Sequence, residues 1–66
     1  MTELKIEGMS CGHCRKAVQE ALENVPGASQ VNVDLDTGIA QVGGQAEVAS
    51  LIAAVEAEGY QASPAA

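Results

Sequence analysis

Cys11 and Cys14 stand three residues apart in the segment Gly8-Met9-Ser10-Cys11-Gly12-His13-Cys14. Side chains at that spacing share a face if a helix starts at or near the first of them, so the two sulfurs can converge on one ion. Thiolates are soft ligands that select Cu(I), Zn(II) and similar metals. A closed tetrahedral zinc site takes four protein ligands, and the chain has only two cysteines. The pair therefore suits an ion content with two ligands, as Cu(I) is, and leaves room for incoming ligands. Zn(II) and Hg(II) stay open as alternatives. So does a redox dithiol, the other common use of Cys-x-x-Cys.

The neighbouring residues refine that chemistry. Arg15 and Lys16 follow Cys14 directly and are two of only three cations in the chain. Together with the positive end of a helix starting here, they favour thiolate over thiol and offset the charge of a bis-thiolate complex. Cys14 begins an apolar stripe and is expected partly buried. Cys11 is expected in the loop, more exposed, meeting an incoming metal or thiolate first. His13 lies between the cysteines and should point away from a bound ion, as a tuning or surface residue. Met9 offers a thioether, but is expected to pack beneath the loop and anchor it. Gly8 and Gly12 are read as turn formers.

The elements that must hold this loop follow from periodicity. Leu4 and Ile6 alternate with Lys5 and Glu7, a strand ended by Gly8. Apolar or small residues at 14, 17, 18, 21, 22 and 25 mark a helix with one buried stripe, stopped by Pro26-Gly27. Val31, Val33 and Leu35 give a second strand, and Asp36-Thr37-Gly38 a tight turn. Residues 39–42 form a third strand with Ala40 and Val42 inward, broken by Gly43-Gly44. Val48, Leu51, Ile52 and Val55 repeat the helical stripe up to Gly59. Residues 60–63 make a brief last strand, and residues 64–66 a frayed tail. The order β-α-β-β-α-β, with a single apolar face on each helix, predicts an α/β (α+β) ferredoxin-like sandwich. Its four-stranded antiparallel sheet carries both helices on one face, and residues 1–66 form one domain.

Composition removes several function classes. The net charge is −6, from nine acidic and three basic residues, which disfavours a nucleic-acid partner. No apolar run approaches the ~18 residues of a membrane helix, and Met1-Thr2-Glu3-Leu4-Lys5 lacks a signal-peptide pattern. A cytoplasmic location is expected, where cysteines serve as ligands or redox thiols rather than structural disulfides. No phosphate loop, carboxylate pair or Ser-His-Asp pattern points to an enzyme. An oxidoreductase is disfavoured by the short chain, the lack of an aromatic before Cys11 and the lack of Pro between the cysteines. The acidic surface is expected to meet a partner bearing Lys and Arg.

Gly8-Met9-Ser10-Cys11-Gly12-His13-Cys14, with Pro26-Gly27 and Glu58-Gly59-Tyr60, resembles the heavy-metal-associated domain family, whose motif is Gly-Met-x-Cys-x-x-Cys between strand 1 and helix 1. The pattern is most similar to the family's bacterial copper chaperones. The resemblance implies a carrier of Cu(I) that passes its ion by thiolate exchange to the metal-binding domain of a copper-transporting P-type ATPase. It implies Cys11 and Cys14 as the ligands, Met9 as a buried non-ligand, and His13 and Tyr60 near the metal. The motif is shared with ATPase regulatory domains and mercury-binding proteins. A chain running from Met1 to just past the last strand is expected to be a free-standing chaperone. The apo form is expected to be a folded monomer, and two copies could pool four cysteines in a copper-bridged dimer.

Overall fold

The computed structural model describes residues 2–9 and 12–65. Its elements run β1 (Thr2–Glu7), α1 (Gly12–Glu23), β2 (Ala28–Asp34), β3 (Ile39–Gly44), α2 (Val48–Ala57) and β4 (Gln61–Pro64). The strands form one antiparallel sheet in the order β2-β3-β1-β4. This is the ferredoxin-like sandwich that the pattern of strands and helices predicts.

Strand periodicity puts Leu4 and Ile6 of β1, Val33 of β2, and Ala40 and Val42 of β3 on one face, all buried. Val18 and Leu22 of α1 and Leu51 and Val55 of α2 close over them, each 0% exposed. The pair Leu4↔Ala40 sets a large side chain against a small one across the sheet centre. Burying a Leu or Val in such a core contributes about 1.5–3 kcal/mol each. Ala40 and Val42 face inward as expected from the sequence.

Several details depart from expectation: α1 ends at Glu23, before Val25, and Tyr60 precedes β4. Leu35 lies outside β2: Asp34 Oδ1 accepts hydrogen bonds from the backbone N–H of Asp36 (2.9 Å) and Thr37 (3.4 Å), which ends the strand one residue early. Gly43 and Gly44 do not break the chain but complete β3, and Gly44 pairs with Ala28. Gly44 has φ +90°, and a Cβ there would run into the carbonyl oxygen of Gly27. That same oxygen accepts the N–H of Gln45 at 3.0 Å, so two backbones cross where no side chain fits. Val48, although in line with Leu51 and Val55, is 37% exposed at the first position of α2. At the C-terminus Pro64 belongs to β4, opposite Leu4, and the N–H of Ala65 donates to Glu3 O at 3.0 Å. Proline is tolerated there because β4 is an edge strand.

Candidate metal centre

Cys11, the first of the two cysteines, lies outside the described residues, as does Ser10. Of the other candidates, Met9 precedes these two in the chain, and His13 and Cys14 follow them at the start of α1. Cys14 occupies the first turn of α1 and is half-buried. It sits at the top of the stripe whose lower members, Val18 and Leu22, enter the core. The first backbone N–H groups of a helix have no partner within it, so this end presents donors and partial positive charge to an anionic sulfur. His13 is exposed. Met9 is half-buried and packs against the hydrophobic core.

Tyr60 reaches this end from the far side of the fold. Past the end of α2, Gly59 N–H donates to Glu56 O (3.0 Å) and Tyr60 N–H to Val55 O (3.4 Å). This is the paired carbonyl cap that terminates a helix at a left-handed glycine, and Gly59 has φ +95°. The cap delivers Tyr60 to the position just before β4. A Cβ placed on Gly8 would meet Tyr60 Cδ1 at 3.3 Å. The strand register accounts for this contact: Glu7 pairs with Gln61, and the next antiparallel pair along is Gly8 with Tyr60.

Of the two cations beside the cysteines, Arg15 has its head group engaged along α1. Arg15 Nη1 donates to Gln19 Oε1 at 2.9 Å, one turn further along α1 and so away from the helix start. Gln19 Nε2 in turn donates to Glu23 Oε2 at 3.3 Å. Among the described residues no three His, Cys, Asp or Glu side chains converge as a metal cluster. No helix among them is long and apolar enough to cross a membrane.

The heavy-metal-associated domain profile matches residues 3–61. The chain is 40% identical over 60 residues to the copper chaperone CopZ of Staphylococcus aureus, covering 86% of this chain and 88% of that one. Among solved structures it is similar to NmerA, the N-terminal heavy-metal-associated domain of Tn501 mercuric reductase. There the identity is 43% and the TM-score 0.86, with 100% of this chain and 99% of that one covered. It is also similar to a copper-binding domain from HMA7, a P-type ATPase. In that case the identity is 26% and the TM-score 0.94, with 98% and 92% covered.

Proposed function

We propose, for a chain that belongs to the heavy-metal-associated domain family, that it is a cytoplasmic Cu(I) carrier of the copper-chaperone kind and not an enzyme. Cys11 and Cys14 hold one Cu(I) as a bis-thiolate. The observation that carries this reading is the half-buried Cys14 in the first turn of α1, three residues after Cys11. A thiolate there is stabilised by the helix N-terminus. Likeness to a copper chaperone over most of both chains supports the choice of metal.

Transfer follows from low coordination. Two-coordinate Cu(I) accepts a thiolate from a partner before either of its own ligands leaves. Two successive exchanges then move the ion with no change in its oxidation state. The receiving site is the metal-binding domain of a copper-transporting P-type ATPase, a reading supported by the likeness to such a domain. Met9 anchors the loop from below, Tyr60 buttresses it at Gly8, and His13 tunes it from the solvent side. The apo protein is a monomer, and two loaded copies can share copper through four cysteines. Neither nucleic acid nor membrane insertion enters this function.

The likeness to NmerA favours Hg(II) as a second cargo for the same thiolate pair. The deciding experiment is an anaerobic titration of reduced protein with Cu(I) against a chromophoric chelator, beside Cys11→Ser and Cys14→Ser. The expected result is one tightly held Cu(I) per chain, lost in both variants. Weak Cu(I) binding with tight Hg(II) or Zn(II) binding in parallel titrations overturns the copper assignment.

A further inference from the structure

The sheet has two outer strands, and they are not equally closed. β4 is four residues long and ends in Pro64. Short length and proline both keep an edge from pairing with another chain. β2, at the other edge, runs for seven residues as Ala-Ser-Gln-Val-Asn-Val-Asp, with no proline, lysine or arginine. Its one irregularity is a shift of register between Ala28 and Val31. From Val31 to Asp34 it pairs evenly with β3, so its outer side there is an unblocked stretch of backbone.

Which groups face outwards follows from alternation. In an antiparallel pair the N–H and C=O of one residue point to the same neighbour, and those of the next residue to the other side. Asp34 O accepts the N–H of Gly38, the residue before β3, at 2.9 Å, so Asp34 faces β3. Asn32 does so too, and Val31 and Val33 turn their N–H and C=O to the free edge. The register shift ends this pattern on one side and the turn after Asp34 ends it on the other. Side chains alternate as well. Val33 is buried and Val31 half-buried on the face that the helices cover, while Asn32 and Asp34 are exposed on the open face. Gln30 joins them there: Gly43 follows the inward Val42, and a Cβ on Gly43 would meet Gln30 Cβ at 3.4 Å.

We propose that this edge pairs with the same edge of a second copy of the chain, antiparallel, about a two-fold axis at Asn32. Only that register uses both outward residues: Val31 of each copy exchanges hydrogen bonds in both directions with Val33 of the other. It sets Asn32 against Asn32 and Gln30 against Asp34, so no like charges meet, and it covers the exposed part of Val31. The contact uses the same patch on both copies and closes at two chains. It is small, at the weak end of protein interfaces, with Kd about 0.1–1 mM. The apo monomer is the dilute form and the pair the concentrated one. β1 and β2 both lie antiparallel to β3, so they run the same way, and the chain leaves β1 for the cysteines at the Asp34 end of β2. An antiparallel pair thus carries its two cysteine loops at opposite ends, where each stays open. This association needs no metal and does not rest on the carrier reading. It differs from a copper-bridged dimer, in which the loops meet.

The test uses reduced apo protein with a metal chelator present, from about 50 µM to about 2 mM. Sedimentation equilibrium should show the mass rising towards that of two chains. Amide hydrogen exchange read by NMR locates the contact. The N–H groups of Val31 and Val33 should slow by about twofold or more over that range, while that of Asn32, which faces β3, should not change. Asn32→Lys places two like charges on the axis and should abolish both effects. Gln61→Lys makes the same change of charge on β4 and should leave them intact. Gln30→Lys, opposite Asp34, should tighten the pair by about threefold or more, a gain that a damaged fold would not give. A constant mass over the whole range overturns the proposal. So does association without slowing at Val31 and Val33, or equal loss in Asn32→Lys and Gln61→Lys. Association that disappears when the chelator is added belongs to a metal-bridged dimer and overturns it as well.

Discussion

Tyr60 packs its ring against the backbone of Gly8, so closely that a Cβ on Gly8 would lie 3.3 Å from Cδ1. The contact joins two ends of the chain. Gly8 follows β1 and opens the cysteine loop, while Tyr60 follows the cap of α2 and precedes β4. Gly8 also has φ +102°, in the left-handed region that costs other residues energy. Backbone conformation and ring contact thus both select glycine, and together they fix the direction in which the chain leaves the sheet towards Cys11.

Gly8→Ala is expected to destabilise the fold by about 1–2 kcal/mol, part from the positive φ and part from the ring. Tyr60→Ala removes the ring and leaves the φ cost. In a double-mutant cycle read by urea unfolding, Gly8→Ala should therefore cost less in the Tyr60→Ala background, by about 0.5 kcal/mol or more. Strictly additive losses would show that the ring does not constrain Gly8.

The helices and central strands were legible because their signals are redundant. Val18 and Leu22 sit on a 3.6-residue stripe, and Leu4 and Ile6 on a two-residue one, and each burial class follows from its period. What escaped was decided by partners remote in sequence. Gly43-Gly44 reads as a breaker, yet it ends a strand because the Gly27 carbonyl needs that space. Pro64 reads as a tail, yet β1 supplies it with a neighbour, Leu4. Val48 keeps the helical spacing but opens α2 and stays 37% exposed, whereas Leu51 and Val55 are enclosed. At the site, the cysteine spacing was plain, whereas Tyr60 was named only through the family resemblance, because its place beside Gly8 depends on the pairing of β1 with β4.

The glycines should separate sharply on substitution. Gly44→Ala forces its Cβ into the Gly27 carbonyl and adopts φ +90°, so the β2–β3 ladder must shift. A loss of about 2 kcal/mol or more is expected. Gly12, at the start of α1, would have nothing within 4 Å of an added Cβ and does not have positive φ. Gly12→Ala should be neutral or stabilising by up to about 1 kcal/mol, with Cu(I) binding retained. Thermal melts of the two variants check both signs. A stable Gly44→Ala protein would mean that the backbone crossing is looser than described.

Cys14 is half-buried in α1, so its thiol should react more slowly with iodoacetamide than that of Cys11. Mass mapping of partly alkylated, reduced apo protein should place the first adduct on Cys11. Faster modification of Cys14 would reverse the assigned order, making it the residue that first meets an incoming thiolate.

Among the described residues the fully buried core lies outside the cysteine loop, which sets the last expectation. Leu4, Leu22, Leu51, Val18, Val42 and Val55 are fully enclosed by one another and by the sheet. None comes from the segment between Gly8 and Cys14. The metal-free protein should therefore give a helical far-ultraviolet circular dichroism spectrum and a cooperative melt. Loading should raise the melting point by mass action rather than create the fold. Leu22→Ala provides the contrast: it leaves the loop intact but opens a cavity beneath α1, at a cost of about 2–5 kcal/mol. In a 66-residue chain that is a large share of a total stability of order 5 kcal/mol. Leu22→Ala should thus unfold largely in the apo state and be partly rescued by metal. An apo wild-type protein without helical signal would mean instead that the metal is a folding staple.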